Sequence, residues 1–175
     1  MEVLLALNVW LSNIIFLVSG VGIILSLRTR DVDKSLKWNI VSHLVVFVGN
    51  LILGTYTALV NNVMAVFRAL LCKFRKFSVF WAIVLYVLQT AVSVFVMESK
   101  FGVLVIVASL LSQVGFILIQ DESKELQYRA VKSISSVLYT VYYFASSAYV
   151  CGVVEIVLIF LSLRVVYLLV GKKKL

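Results

Sequence analysis

The sequence predicts an all-α integral membrane protein of seven transmembrane helices, built as two parallel three-helix repeats joined by a linker helix. Three observations lead there. Hydrophobic residues make up 63% of the 175 positions, charged residues 14%, and the mean hydropathy is +1.10. That is more apolar side chain than one water-soluble domain can hide. Lys and Arg gather in alternate connections between apolar blocks. Finally, "SGVGIILSLRTRDVD" at 19–33 is echoed by "SQVGFILIQDESKEL" at 112–126, each running from apolar residues into a charged loop.

The first block, Val3 to Leu27, lacks a basic start and a small-residue cleavage site. It is also too long for the apolar core of a signal peptide, so it is expected to be the first span. The blocks Trp38 to Cys72 and Val131 to Val170 hold 35 and 40 residues. As single helices they would measure about 52 and 60 Å at 1.5 Å per residue, against a bilayer core of about 30 Å. Each has a small or polar break near its middle, Gly54-Thr55-Tyr56 and Ser146-Ser147-Ala148, and each is expected to be a helical hairpin. Phe77 to Met97 and Phe101 to Ile119 complete seven spans. One transmembrane domain is expected, with repeats at 1–72 and 101–175 and a linker helix within 73–100.

Charge supports this division. Arg28, Arg30, Lys34 and Lys37 follow the first span, and Arg68, Lys73, Arg75 and Lys76 end or follow the third. Lys124, Arg129 and Lys132 surround the fifth connection, and Arg164 with Lys172, Lys173 and Lys174 ends the seventh span. With seven spans, 15 of the 16 basic residues fall on one face and Lys100 alone on the other. Positive residues mark the cytoplasmic side, so the N-terminus is expected outside and the C-terminus in the cytoplasm. A net charge of +8 distributed in this way sets topology, and nucleic acid is not an expected partner.

Sliding residues 17–70 forward by 93 without a gap gives 12 identities in 54 positions, including Gly22/Gly115, Ser42/Ser135 and Tyr56/Tyr149. In so apolar a chain that count is weak. The register of span ends, hairpin turns and charged loops strengthens it. One linker span gives both units the same orientation, a plan known among transporters with a site at the repeat interface.

Two stretches, "LILGTYTALVNNVMAVFRALL" (51–71) and "YRAVKSISSVLYTVYYFASSAYVCGVVEIVLIFLSL" (128–163), carry a family resemblance. Gly54, Tyr56 and Thr57 at a hairpin, Asn and Arg in the next helix, and a Tyr-rich span ending in a small-residue turn before Glu155 resemble the YgjV-type bacterial inner membrane proteins. The three-plus-one-plus-three layout resembles the wider superfamily of SWEET sugar carriers, PQ-loop proteins and PnuC vitamin transporters. The chain has no proline, hence no Pro-Gln dipeptide, and Trp10, Trp38 and Trp81 form no Trp-x-x-Trp pattern. The resemblance therefore implies a membrane location and a fold, but neither a sugar nor a nicotinamide riboside substrate.

Polar groups are costly in hydrocarbon, so their helical phase is informative. At 100° per residue Asn39, His43 and Asn50 lie within about 40° of one another. The 93-residue shift carries these three to Lys132, Ser136 and Tyr143, with Tyr139 on the same face. Ser109, Gln113 and Gln120 align on the fifth span. Glu155, seven residues past Ala148 among apolar neighbours, marks a candidate proton or cation site, and Asn62 is its repeat counterpart. The candidate substrate contacts are Asn39, His43, Asn50, Asn62, Gln113, Ser136, Tyr139, Tyr143 and Glu155. Helix-to-helix hydrogen bonding explains the same stripes without a ligand. Arg68, near a span end, is expected to snorkel to the interface, and Trp10, Trp81, Tyr142 and Tyr143 to serve in part as interface anchors.

No nucleophile elbow, HExxH, phosphate loop or paired intramembrane carboxylates occur, so an enzyme is not expected and no cofactor is implied. Cys72 and Cys151 have no metal-ligand spacing, and His43 is the sole histidine. The expected partners are the bilayer and a small polar metabolite, with homo-oligomerisation left open. Two functions stand at this point: a small-solute transporter or facilitator working by alternating access, and a non-transporting membrane scaffold or accessory subunit.

Overall fold

A computed structural model describes residues 2–28, 32–74, 77–118 and 124–172. Among these the chain is all-helical, with seven helices: α1 (Glu2–Arg28), α2 (Val32–Leu53), α3 (Tyr56–Lys73), α4 (Val79–Val96), α5 (Gly102–Leu118), α6 (Glu125–Ala145) and α7 (Tyr149–Lys172). Four of them, α1, α2, α4 and α7, are long and apolar enough to cross a membrane. The fifth helix is apolar but shorter, with 17 residues. The two helices that remain, α3 and α6, are the most strongly two-faced, with Asn61, Asn62 and Arg68 on one and Lys132, Ser136 and Tyr139 on the other.

With no proline to break a helix, the two hairpin turns depend on single residues in the left-handed backbone region. Gly54 takes φ +77° and Ser147 φ +60°. In each turn a backbone N–H reaches back across the break: Thr55 N donates to Asn50 O at 3.0 Å, and Ala148 N to Tyr143 O at 2.9 Å. Both left-handed residues, both hydrogen bonds and the first residues of α2/α6 and α3/α7 recur at the same 93-residue offset.

Consecutive helices pack side by side, α1 also packs on α7, and α3 on α5. Six helices thus close a ring in the order α1, α2, α3, α5, α6, α7, while α4 lies against the α3–α5 seam. Close approach of α1 and α2 depends on Gly49, where a Cβ would lie 2.3 Å from Phe16 Cε1. Inside the ring, Phe16, Val46, Ala58, Val105, Ala108, Tyr142 and Ala148 form an apolar plug. The outer surface shows Trp10, Phe80, Phe95, Phe160 and many branched aliphatic residues, whereas Ser, Asn, Gln and Arg side chains are buried. This inversion of a water-soluble domain suits a chain whose surroundings are lipid.

Candidate functional site

A cavity of about 170 Å³ lies inside the ring. That is roughly the room of five or six waters at about 30 Å³ each, a volume for a small solute. Its wall takes residues from α1, α2, α3, α5, α6 and α7 and none from α4. Asn39 and His43 come from α2, Asn61, Asn62 and Arg68 from α3, and Ser112 and Phe116 from α5. Tyr128, Lys132, Tyr139 and Tyr143 come from α6, and Glu155 from α7. A smaller extension towards Ser19, Gly20 and Cys151 shares His43, Asn62, Tyr143 and Glu155 with it.

Several of these groups hold one another. Asn62 Nδ2 donates to Ala58 O at 2.9 Å, so its Oδ1 accepts from His43 Nδ1–H at 3.0 Å. This bond fixes the imidazole proton on Nδ1 and leaves Nε2 as the acceptor. At the inner end Asn61 Oδ1 accepts from Tyr139 Oη and Gln89 Nε2, both at 3.1 Å, and Gln89 Oε1 accepts from Ser109 Oγ at 2.6 Å. The rings of Tyr139 and Tyr143 stack at 6.1 Å.

Other groups are not satisfied by the protein. Arg68 is only 3% exposed; its guanidinium lies over the Phe116 ring at 5.6 Å, and Nε and Nη1 have no hydrogen-bond partner. Glu155 Oε2 is also buried without one. Lys132 is within reach of the charges of both Glu155 and Arg68.

The cavity extends towards Tyr128, near the start of α6, and Arg68, near the end of α3. The other end of the bundle, with the α2–α3 and α6–α7 turns, is tied together by two sets of hydrogen bonds. Glu98, in the α4–α5 connection, accepts from Thr57 N at 3.0 Å, Thr57 Oγ1 at 2.6 Å and Tyr142 Oη. Asn13 of α1 donates from Nδ2 to Ser147 O at 3.1 Å and accepts at Oδ1 from Val150 N at 2.9 Å. Each satisfies a first-turn N–H, of α3 and of α7, that the helix itself leaves open. Thr57 and Val150 stand at the same 93-residue offset as the turns.

A model of the Imp-YgjV family, described as bacterial inner membrane protein, matches residues 10–173. The chain belongs to this family. No curated protein and no solved structure matches the chain. The Imp-YgjV match takes in every cavity-lining residue, both turns, Asn13 and Glu98.

Of the residues singled out from the sequence of this Imp-YgjV protein, Asn39, His43, Asn62, Tyr139, Tyr143 and Glu155 meet at the cavity. Asn50, Gln113 and Ser136 are fully buried but do not line it. Asn50 shares the face of His43, but seven residues carry it about 10 Å further along the axis. There it accepts from Thr55 Oγ1 at 2.7 Å, at the turn. Gln120 lies outside the described residues.

Two expectations are corrected. Arg68 does not snorkel to the interface but is buried in the wall, because Phe116 of α5 offers its guanidinium a face inside the bundle. Tyr142 and Tyr143 are core residues, with Trp10 and Trp81 exposed. Asn61 and Ser112 were not foreseen in the wall. Helical phase holds a signal for Asn61, which lies about 20° from Arg68 at 100° per residue. Glu98 had none, since a carboxylate beside Lys100 in a short connection resembles an ordinary solvated loop residue.

Proposed function

We propose that this chain is a small-solute carrier working by alternating access. Residues 1–72 and 101–175 act as two three-helix units set the same way up, and α4 joins them. One observation carries the reading: the six helices of the two units, without α4, surround a polar cavity with unsatisfied charged groups. Helix glue accounts for satisfied polar stripes, but it gives no reason to keep a buried guanidinium with two unbonded nitrogens in a space able to hold a solute.

The recurring turns and first-turn hydrogen bonds support duplication, and the proposed layout resembles that of the SWEET and PnuC carriers. The positive-inside distribution puts the Tyr128 end in the cytoplasm and the Glu98 end outside. The conformation is then inward-open, with Glu98 and Asn13 as clasps between the units on the outer side. Solute is held and released with no covalent step, and neither an enzyme activity nor a cofactor is assigned.

Access from both faces is the test. With Cys72→Ser and Cys151→Ala removing the native thiols, Asn39→Cys is exposed to a small anionic thiosulfonate that cannot cross membranes. Inverted vesicles should label fast, and spheroplasts slowly but well above a lipid-facing control such as Phe95→Cys. Labelling from the cytoplasmic face alone, at every temperature tried, would leave a scaffold.

A further inference from the structure

The charges around the cavity do not balance. Among the described residues, Arg68 and Lys132 bring two positive groups to its wall and Glu155 one negative group, leaving one net positive charge. The Arg68 guanidinium carbon lies over the Phe116 ring at 5.6 Å, a contact that satisfies none of the N–H groups at the guanidinium edge. Two of the three nitrogens have no partner, in a side chain 97% buried by its 3% exposure. A planar carboxylate fits such an edge, taking charge-assisted hydrogen bonds from it.

The rest of the wall limits what that carboxylate can belong to. Asn39 offers a neutral donor and acceptor, and the Tyr139 and Ser112 hydroxyls, whose protons go to Asn61 Oδ1 and Ala108 O, offer acceptors, suited to hydroxyl groups. Glu155, with Oε2 unpartnered, would repel a second carboxylate brought near it. A volume of about 170 Å³ admits a few carbon atoms and their hydroxyls, not a disaccharide.

We propose that the cavity binds a small hydroxylated monocarboxylate, held at its carboxylate by Arg68, with Glu155 excluding dianions. This inference rests on the carrier reading and names its substrate class.

Thermal unfolding of the purified protein is followed with millimolar glycolate, lactate or glycerate, and with lactamide, serine and malonate as the neutral, zwitterionic and dianionic comparisons. A ligand that binds only the folded state raises the midpoint by mass action. The monocarboxylates should raise it by several degrees and lactamide should not. Arg68→Gln should abolish the shift and Arg68→Lys retain part of it. Glu155→Gln, which leaves two net positive charges, should move the preference between lactate and malonate at least tenfold towards malonate. That reversal also decides the matter if the Arg68 variants fail to fold.

Lactamide acting as well as lactate, silence from all three monocarboxylates, or an unchanged lactate/malonate preference in Glu155→Gln would overturn the assignment. The two readings fail separately. A neutral solute that binds and enters proteoliposomes removes the anion site and keeps the carrier. Lactate that binds without crossing, in a protein labelled only from the cytoplasm, keeps the site and removes the carrier.

Discussion

Gly49→Val is expected to leave little folded protein in the membrane. At this position even a Cβ would come within 2.3 Å of Phe16 Cε1 and 2.7 Å of Cδ1. Phe16 cannot swing clear, because it is 1% exposed and set in the apolar plug with Val46, Tyr143 and Ala148. The helices must separate or the ring must adopt a strained rotamer. Overpacking of this kind costs about 1–3 kcal/mol, more where backbone opposes backbone. Valine adds two further methyl groups to a contact already too short for one.

The check is the midpoint of thermal unfolding in detergent, together with the yield of monodisperse protein. A second variant separates packing from any general intolerance: Phe16→Ala combined with Gly49→Val should recover part of the loss, with a coupling of about 0.5–3 kcal/mol. An unchanged midpoint in Gly49→Val would mean that α1 and α2 do not meet here.

The second large effect is expected at the outer clasp. Glu98 ties the first turn of α3 to the end of α6, and hence one proposed unit to the other, through Thr57 and Tyr142. The carboxylate also sits at a helix N-terminus, where negative charge is favoured. Glu98→Gln removes that charge and at least one acceptor site. Hydrogen bonds to charged groups contribute about 1.5–3 kcal/mol, but Glu98 is exposed at the surface and its share is smaller. A shift of about 1–2 kcal/mol moves a two-state population by a factor of about 5–30. Outer-face labelling of Asn39→Cys should therefore accelerate by that factor in Glu98→Gln, and further when Asn13→Ala is added. Tyr142→Phe, which keeps the core volume, should do the same to a lesser degree. Labelling that stays at the level of the parent would show that these hydrogen bonds hold helices together without gating the cavity.

Much of the architecture was legible because lipid simplifies the code. The lengths of the blocks at 38–72 and 131–170 demanded a break in each, and Gly54 and Ser147 stand at the breaks. The phase of Asn39 and His43 sets them on one face of α2, and both line the cavity. Phase alone does not say how far along the axis a cavity ends, so Asn50, on the same face, is found in the turn instead. Arg68 was misplaced because its position five residues from the end of α3 suggested an interface. What buries it is Phe116, 48 residues away in another helix, and no local pattern encodes that contact. Gln89 and Glu98 act through partners on two other helices each, and such convergence appears only once the helices are packed.

The account stands on two three-helix units with one orientation, and side-specific labelling of the connections tests that most directly. Single cysteines at Lys34, Lys73, Lys124 and Lys100, all exposed, are treated with an impermeant maleimide in spheroplasts and in inverted vesicles. Duplicated units joined by one helix require positions 34, 73 and 124 to react only in inverted vesicles and position 100 only in spheroplasts. Reaction of 34 and 73 from opposite faces would contradict the duplication, the inward-open cavity and the carrier built on them.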